Sequence, residues 1–362
     1  MKERRFDIDN FKGILIFLVV FGHFLMPNSL RNNGLCYEIF SFIYFFHMPA
    51  FLFLAGLTTK KENLKKNISK YIFLYFLFNF SMSIIDYFLN GIEISFIKPY
   101  YSMWFLLSII AYRTLVFYCN NKLLLIFSLI ISFFSGFSNL DNTFALSRII
   151  AFLPFFLVGY FFKEFFMNEK DNKYKRIFLM YFLSFIFTLI FIIFFSYITN
   201  FSLSFYTMEE FQTYFQFVCR IVLIIVNIIF IIGLFMIIPN KRIFFLSKIG
   251  KYSLNIYLIH RFITLIFEKV FIEDTFRVIF AFVGSIIICF IFGSNFFNKK
   301  FNNFIEKCFN KQIYFYFFLI LYLITFKLSF SQNTYVQNVN KIDNLDNCIK
   351  ISYVGDFLLF ED

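Results

Sequence analysis

The chain has 362 residues, 60% of them hydrophobic, 25% aromatic and only 15% charged, with a mean hydropathy of +0.73. Soluble globular domains are about half apolar and a quarter charged, so that class is excluded and a helical protein crossing the membrane many times is indicated. The formal net charge of +12 does not point to nucleic acid, because the basic residues cluster in short loops between apolar runs, as in loops facing anionic lipid.

A basic N-terminus runs directly into a full-length apolar span with no small-residue cleavage site, so the first helix is retained. Spans are expected at 11–29, 38–57, 71–90, 102–119, 123–139, 146–163, 177–199, 215–238, 251–271, 276–297 and 313–330. Each is near the ~20 residues that a ~30 Å hydrocarbon layer requires. Strand-like alternation is almost absent, which argues against a β-barrel. The expected fold class is all-α, a polytopic transmembrane helical bundle of about ten core spans plus an eleventh, C-terminal one.

The loops set an orientation. Lys2, Arg4, Arg5 and Lys12 precede or open the first span. Lys60, Lys61, Lys65, Lys66 and Lys70 follow the second, and Lys163, Lys170, Lys173, Lys175 and Arg176 follow the sixth. Lys241, Arg242, Lys248 and Lys251 follow the eighth; Lys299, Lys300, Lys307 and Lys311 follow the tenth. The intervening loops are poor in Lys and Arg, and one holds Glu209 and Glu210. Positive loops face the cytoplasm, so the N-terminus is expected inside and the tail from Ser331 outside. That tail is polar and Asn-rich and then reads KISYVGDFLLFED, an apolar run with Gly-Asp resembling the opening of a soluble α/β domain. We expect a truncated or vestigial domain there.

The six Cys (Cys36, Cys119, Cys219, Cys289, Cys308 and Cys348) are scattered without metal-ligand spacing and read as small apolar filler. The 67 Phe look like codon bias toward A and T, so a single Phe position says little. The three histidines are more informative, because an intramembrane histidine must find a partner or stay neutral, and it moves protons near neutral pH. His23 lies eleven residues beyond Lys12, roughly 16 Å from the cytoplasmic boundary. His47 lies roughly 14 Å from the outer face, and His260, nine residues beyond Lys251, roughly 14 Å from the inner one. All three approach the midplane. His47 and His260 read as well as hydrogen-bonded core histidines, whereas for His23 the functional reading is preferred. Three histidines can ligate zinc, but their spread over three spans makes a metal unexpected.

Arg5 and Lys12 flank Asp7 and Asp9 where the first span leaves the cytoplasm. They read either as topology markers or as a site for the phosphates of a cytoplasmic donor, with Asp9 positioning a basic neighbour. Arg148 opens the sixth span and Trp104 the fourth, both at the outer face. Arg148 reads as a snorkelling cation or an acceptor contact, Trp104 as a belt residue or a sugar-stacking platform. Arg220 stands similarly to Arg148 on the eighth span. Asp86 and Arg113 are further charges near or within spans, and the sequence does not pair them.

Five segments in order, RFDIDNFKGILIFLVVFGH, SFIYFFHMPAFLFLAGL, YSMWFLLSII, SRIIAFLPFFLVGYFFK and KIGKYSLNIYLIH, resemble the membrane acyltransferase-3 superfamily, particularly its fucose 4-O-acetylase-like branch. RFDIDNFKGILIFLVVFGH is similar to that family's opening helix, with a basic residue eleven positions before a histidine, here Lys12 and His23. Many members carry Arg in place of Lys12. SFIYFFHMPAFLFLAGL resembles the second helix, written around FHMP and usually ending Ser-Gly, with Ala55 replacing the serine before Gly56. YSMWFLLSII, SRIIAFLPFFLVGYFFK and KIGKYSLNIYLIH resemble three later helices. The resemblance covers roughly residues 5–300 and divides the chain into an acyltransferase-like domain at 1–300, a cytoplasmic loop and extra span at 301–330, and an extracytoplasmic tail at 331–362.

The resemblance implies transfer of an acyl group, commonly acetyl, from cytoplasmic acyl-CoA (acetyl-CoA) to a hydroxyl of a cell-envelope glycan or lipid-linked sugar, in a bacterial inner membrane. On that reading His23 is general base or transient acyl nucleophile. His47 and His260 orient it or stabilise charge on the thioester oxygen. The rival is a transporter or flippase for a lipid-linked sugar, which should show broken helices and an internal repeat; no convincing repeat is visible.

Overall fold

Lipid offers no hydrogen bonds, so an apolar run must satisfy its backbone internally, and helix is the solution open to a single segment. The structure is a computed structural model describing residues 4–29, 34–60, 64–91, 99–137, 143–169, 177, 214–268, 270, 273–310, 353–354 and 357–358. Its helices are α1 (Phe6–Ser29), α2 (Leu35–Thr58), α3 (Leu64–Asn90), α4 (Trp104–Tyr118), α5 (Leu123–Phe134), α6 (Leu146–Phe161) and α7 (Lys163–Glu169). They continue with α8 (Tyr214–Ile237), α9 (Phe244–Lys251), α10 (Ser253–Ile266), α11 (Asp274–Phe292) and α12 (Asn295–Asn310). Two-residue strands, β1 (Tyr353–Val354) and β2 (Phe357–Leu358), pair antiparallel with Tyr353 opposite Leu358.

Among the described residues five helices, α1, α2, α3, α8 and α11, are long and apolar enough to cross a membrane. The shorter apolar helices α4, α5, α6 and α10 fall on four more of the expected spans. The spans expected at 177–199 and 313–330 lie outside the described residues. The run expected as one span at 251–271 begins as a separate helix, because the chain breaks at Tyr252 between α9 and α10. The face pattern of α11 suits lipid: it buries Arg277, Ser285 and Cys289 and exposes Phe282, Ile286 and Phe290.

At the centre α1 packs on α2, α9, α10 and α11, and α2 packs in turn on α6. Both principal crossings are made at glycine. A Cβ on Gly13 would collide with the Leu246 carbonyl, and one on Gly250 with the Asp9 carbonyl, so α1 and α9 touch backbone to backbone. Gly56 and Gly159 do the same for α2 and α6, against the Phe156 and Phe53 carbonyls. Small residues at such crossings let helices gain van der Waals contact where lipid supplies no hydrophobic drive.

Side chains donate to helix carbonyls close to two of the prolines. Pro49 lacks the N–H that would bond the carbonyl of Phe45, and the Asn227 amide of α8 donates to that carbonyl instead. Around Pro154 in α6, the Tyr112 hydroxyl donates to the Ile149 carbonyl and the Ser132 hydroxyl to that of Ala151, each at 2.7 Å. The N-terminus of α1 is capped from far along the chain: Asn240 Oδ1 accepts from the backbone N–H of Phe6 at 2.9 Å. Asn10 then donates to the Lys241 carbonyl at 2.8 Å and accepts from the Ser247 hydroxyl at 2.6 Å. At the other end of α1, Arg277 Nε donates to the Phe24 carbonyl at 2.6 Å and its guanidinium reaches the Val270 carbonyl at 3.1 Å.

Gly250→Leu should destabilise the fold by about 1–3 kcal/mol or more, the range for overpacking. Gly284→Ala, whose Cβ meets only the Phe24 ring at 3.2 Å, should cost far less. Thermal midpoints of the two variants in detergent check this; equal midpoints would exclude the crossing as the cause.

Candidate active site

Helix α1 carries Lys12 and His23 eleven residues apart, so they stand roughly 16 Å apart along its axis. His23 is 4% exposed and faces the bundle interior, not lipid. One turn beyond it, Pro27 has no N–H to give the His23 carbonyl, which loosens the helix at the histidine. The ring of His260, on α10, stands with its centroid 5.1 Å from that of His23. Tyr44 lies between His23 and His47, its ring 6.3 Å from the first and 4.7 Å from the second. The three histidines are therefore one buried group, with a direct pair and a third member joined through a tyrosine.

Their hydrogen bonds are not alike. Nδ1 of His260 donates to the Tyr257 carbonyl at 2.7 Å, and Nδ1 of His47 donates to the Ile43 carbonyl at 2.8 Å, because a carbonyl only accepts. A neutral His260 ring then carries a lone pair on Nε2, and that atom is buried with no hydrogen-bond partner among the described residues. His23 is engaged from the opposite sense. The guanidinium of Arg261 approaches its Nδ1 at 3.5 Å, and a guanidinium only donates, so Nδ1 keeps a lone pair and a neutral ring has its hydrogen on Nε2. The contact is long and leaves Nδ1 only loosely held. Arg261 is fully buried and forms an ion pair with Glu268 at 2.6 Å, two helical turns away. The His23 ring, with its hydrogen on Nε2, thus stands beside the His260 ring, whose Nε2 is bare.

Toward the end of the bundle that holds the N-terminus, Arg5 pairs with Asp7 at 2.9 Å and Arg4 with Asp9 at 2.7 Å. Asp9 thus holds Arg4, and Lys12 lies three residues further along α1. Arg113, on α4, stacks on the Tyr71 ring with its guanidinium carbon 4.7 Å from the centroid.

Trp104 and Arg148 come together, with the Arg148 guanidinium 5.5 Å from the indole centroid. Trp104 is 1% exposed and packs on Phe152, so it is a core residue rather than part of a lipid-facing belt. The link to the histidines runs through Tyr257: its hydroxyl donates to the Ser102 carbonyl, its ring packs on Phe105 at 5.4 Å, and it lies 6.0 Å from the His260 ring. Arg220 donates to the Ser135 hydroxyl at 3.0 Å, joining α8 to the turn after α5. Asp86 accepts from Asn90 on its own helix. Among the described residues no three His, Cys, Asp or Glu side chains form a group able to hold a metal ion.

Sequence reasoning missed Arg261, Glu268 and Tyr44. Arg261 had a readable signal, a charge directly after His260 inside an apolar run. Tyr44 had none, being one aromatic among many.

A family model described as an acyltransferase domain matches residues 5–294. The chain belongs to this acyltransferase family. The match spans all three histidines together with Lys12, Trp104, Arg148 and Arg261. Comparison with curated proteins and with solved structures found no match. The superfamily resemblance carried by the five motifs is borne out, and the protein is a membrane acyltransferase with an acyl donor and an acceptor as its substrates.

Removing Arg261 alone leaves Glu268 without its cation, so Arg261→Gln is best made together with Glu268→Gln. The double variant should keep its fold and lose turnover by about 10- to 100-fold, as when one preorganised donor is removed from a buried site. Steady-state acyl transfer by the folded variant checks this; unchanged turnover would leave the pair with a purely structural role.

Proposed function

We propose that the protein moves an acetyl or related acyl group from cytoplasmic acyl-CoA to a hydroxyl of a cell-envelope carbohydrate, as the likeness to fucose 4-O-acetylases suggests. In this reading it is a bacterial inner-membrane protein of about ten spans and an eleventh C-terminal one, with its N-terminus in the cytoplasm. The observation that carries the reading is the buried contact of His23 with His260 inside the family domain, on the same helix as Lys12. Such a group serves proton transfer at the point where donor and acceptor meet.

The donor's phosphates lie toward Lys12 and Arg5, and its thioester reaches along α1 to His23. His23 acts as general base on the acceptor hydroxyl, or carries the acyl group briefly on its ring. The O–H and C–S bonds break, the ester C–O bond forms, and coenzyme A leaves as its thiol. His260 supplies the bare nitrogen that receives a proton displaced from His23, and its return reaches the thiolate. His47, through Tyr44, orients the pair. Trp104 and Arg148 stand on the acceptor side, where their stacked faces shape the entry and leave the guanidinium edge for hydroxyl groups. Arg5 attracts the donor while keeping its ion pair with Asp7.

The test is acyl transfer in proteoliposomes with labelled acetyl-CoA and a glycan acceptor. His23→Ala should insert normally and lose transfer by about 10²–10⁴-fold or entirely, the contribution of a positioned base or nucleophile. Normal turnover in that variant removes His23 from the reaction. A flippase for a lipid-linked sugar would leave the thioester intact, so an absence of acetyl-CoA consumption with every acceptor tried would favour that rival.

A further inference from the structure

Helices α9 and α12 each follow a membrane-length helix closely. α9 begins seven residues after the end of α8, and α12 three residues after the end of α11. The two are joined to one another. A Cβ on Gly293, just before α12, would press on Ile249 of α9. The Tyr252 hydroxyl, at the end of α9, donates to Asn295 Oδ1 at the start of α12 at 3.1 Å. Both therefore stand at the same end of the bundle, where α9 also touches α1 at the Asp9 carbonyl.

Their inner faces are packed. Ile249 and Gly250 of α9 and Asn298 and Ile305 of α12 are buried, and Asn255 of α10 donates to Asn302 of α12 at 3.0 Å. Their outer faces set cations over open aromatic rings. Phe244 is 69% exposed and Phe296 72%. The Arg242 guanidinium carbon lies 5.5 Å and Lys248 Nζ 5.9 Å from the Phe244 centroid. Lys300 Nζ lies 4.4 Å from the Phe296 centroid, and Lys251 Nζ 5.1 Å from that of Tyr252. Among the described residues no carboxylate forms an ion pair with these four cations.

Charge alone would serve to mark one side of the membrane. An open phenylalanine beneath a cation does more. The ring gains by leaving water for acyl carbon, while the flexible cationic stem keeps its charge at the depth of the phosphates. We propose that α9 and the first turns of α12 form a docking surface for anionic phospholipid, with Phe244 and Phe296 against the upper acyl carbons and the four cations among the phosphodiesters. A lipid fits better than a soluble acid, because the adjoining membrane-length helices set both rings at the edge of the hydrocarbon layer. Lipid held on α9 also braces α1, the helix that carries His23. The surface is independent of the identity of the acyl donor.

The experiment uses the full chain in neutral-detergent micelles, titrated with fluorescently labelled short-chain phosphatidylglycerol or with phosphatidylcholine of the same acyl length. Phosphatidylglycerol should bind about tenfold more tightly or better, and the preference should shrink as salt rises. Lys248→Gln with Lys300→Gln should weaken phosphatidylglycerol binding by about tenfold, whereas the charge-matched pair Lys60→Gln with Lys122→Gln should leave it within about twofold. Phe244→Ala with Phe296→Ala should weaken it several-fold with no change of charge. A preference below about twofold in the unmodified protein would overturn the proposal without any variant. Equal losses in the two lysine pairs would overturn it as well, because net charge would then suffice. Unchanged binding after removal of both rings would reject the aromatic half of the surface and the proposal with it. Polyglutamate serves as the soluble competitor: tighter binding of polyglutamate than of phosphatidylglycerol would assign the surface to an acidic protein and reject the lipid.

Discussion

A carbonyl released inside a bilayer has no water to accept from, and the helix arrangement follows from that constraint. Pro49 frees the Phe45 carbonyl in the middle of a buried helix and Asn227 of a neighbour donates to it, while near Pro154 the Tyr112 and Ser132 hydroxyls add second bonds to the Ile149 and Ala151 carbonyls. These bonds fix the rotation of α8 and α4 against α2 and α6. Phe24, one residue past His23, accepts a further bond from Arg277. An unsatisfied carbonyl at such depth costs several kcal/mol, so the match at Phe45 fixes the relative placement of α2 and α8 more firmly than dispersion alone.

Helix α1 inherits its precision from those neighbours. Its first N–H groups are capped by Asn240, its near end touches α9 through Gly13 and Gly250, and its far end is gripped by Arg277. A helix held at both ends and along one face keeps Lys12 and His23 at a constant separation. On the proposed reading that separation matters, because donor and acceptor would approach from different sides and meet at one atom. Proximity contributes only when the bound geometry is reproducible. On that reading the backbone contacts of α1 serve the chemistry as directly as the histidines do.

Much of this was legible in the residues. Apolar length and the charge of the loops predict helices where nine of the eleven expected spans show them, since periodicity and charge are local properties. His23, Lys12 and His260 were readable because ionisable groups in lipid are rare. The pairing of His23 with His260 across 237 positions was not, because contact depends on how α10 packs on α1. Trp104 illustrates the opposite error. A lone tryptophan near a span end suggests the interface, yet the close packing of Phe152 and Arg148 carries it inside. Arg113 was visible as a charge, but the Tyr71 ring it stacks on lies on another helix.

The two halves of the histidine pair differ for a reason that also comes from the solvent. In water a single imidazole suffices as a base, because the medium takes up or returns the second proton. Inside the bundle both the site that gives and the site that receives must be built from side chains. Tyr257 holds the hydrogen of His260 on Nδ1, and Arg261 leaves the lone pair of His23 on Nδ1, so the two Nε2 atoms have opposite character. Glu268 balances the guanidinium that imposes this, so the local charge stays close to neutral while the tautomer is set. Replacing either ring by a residue of one fixed polarity would remove the asymmetry without opening a cavity. That separates a proton-transfer role for the pair from a packing role more sharply than truncation of either ring.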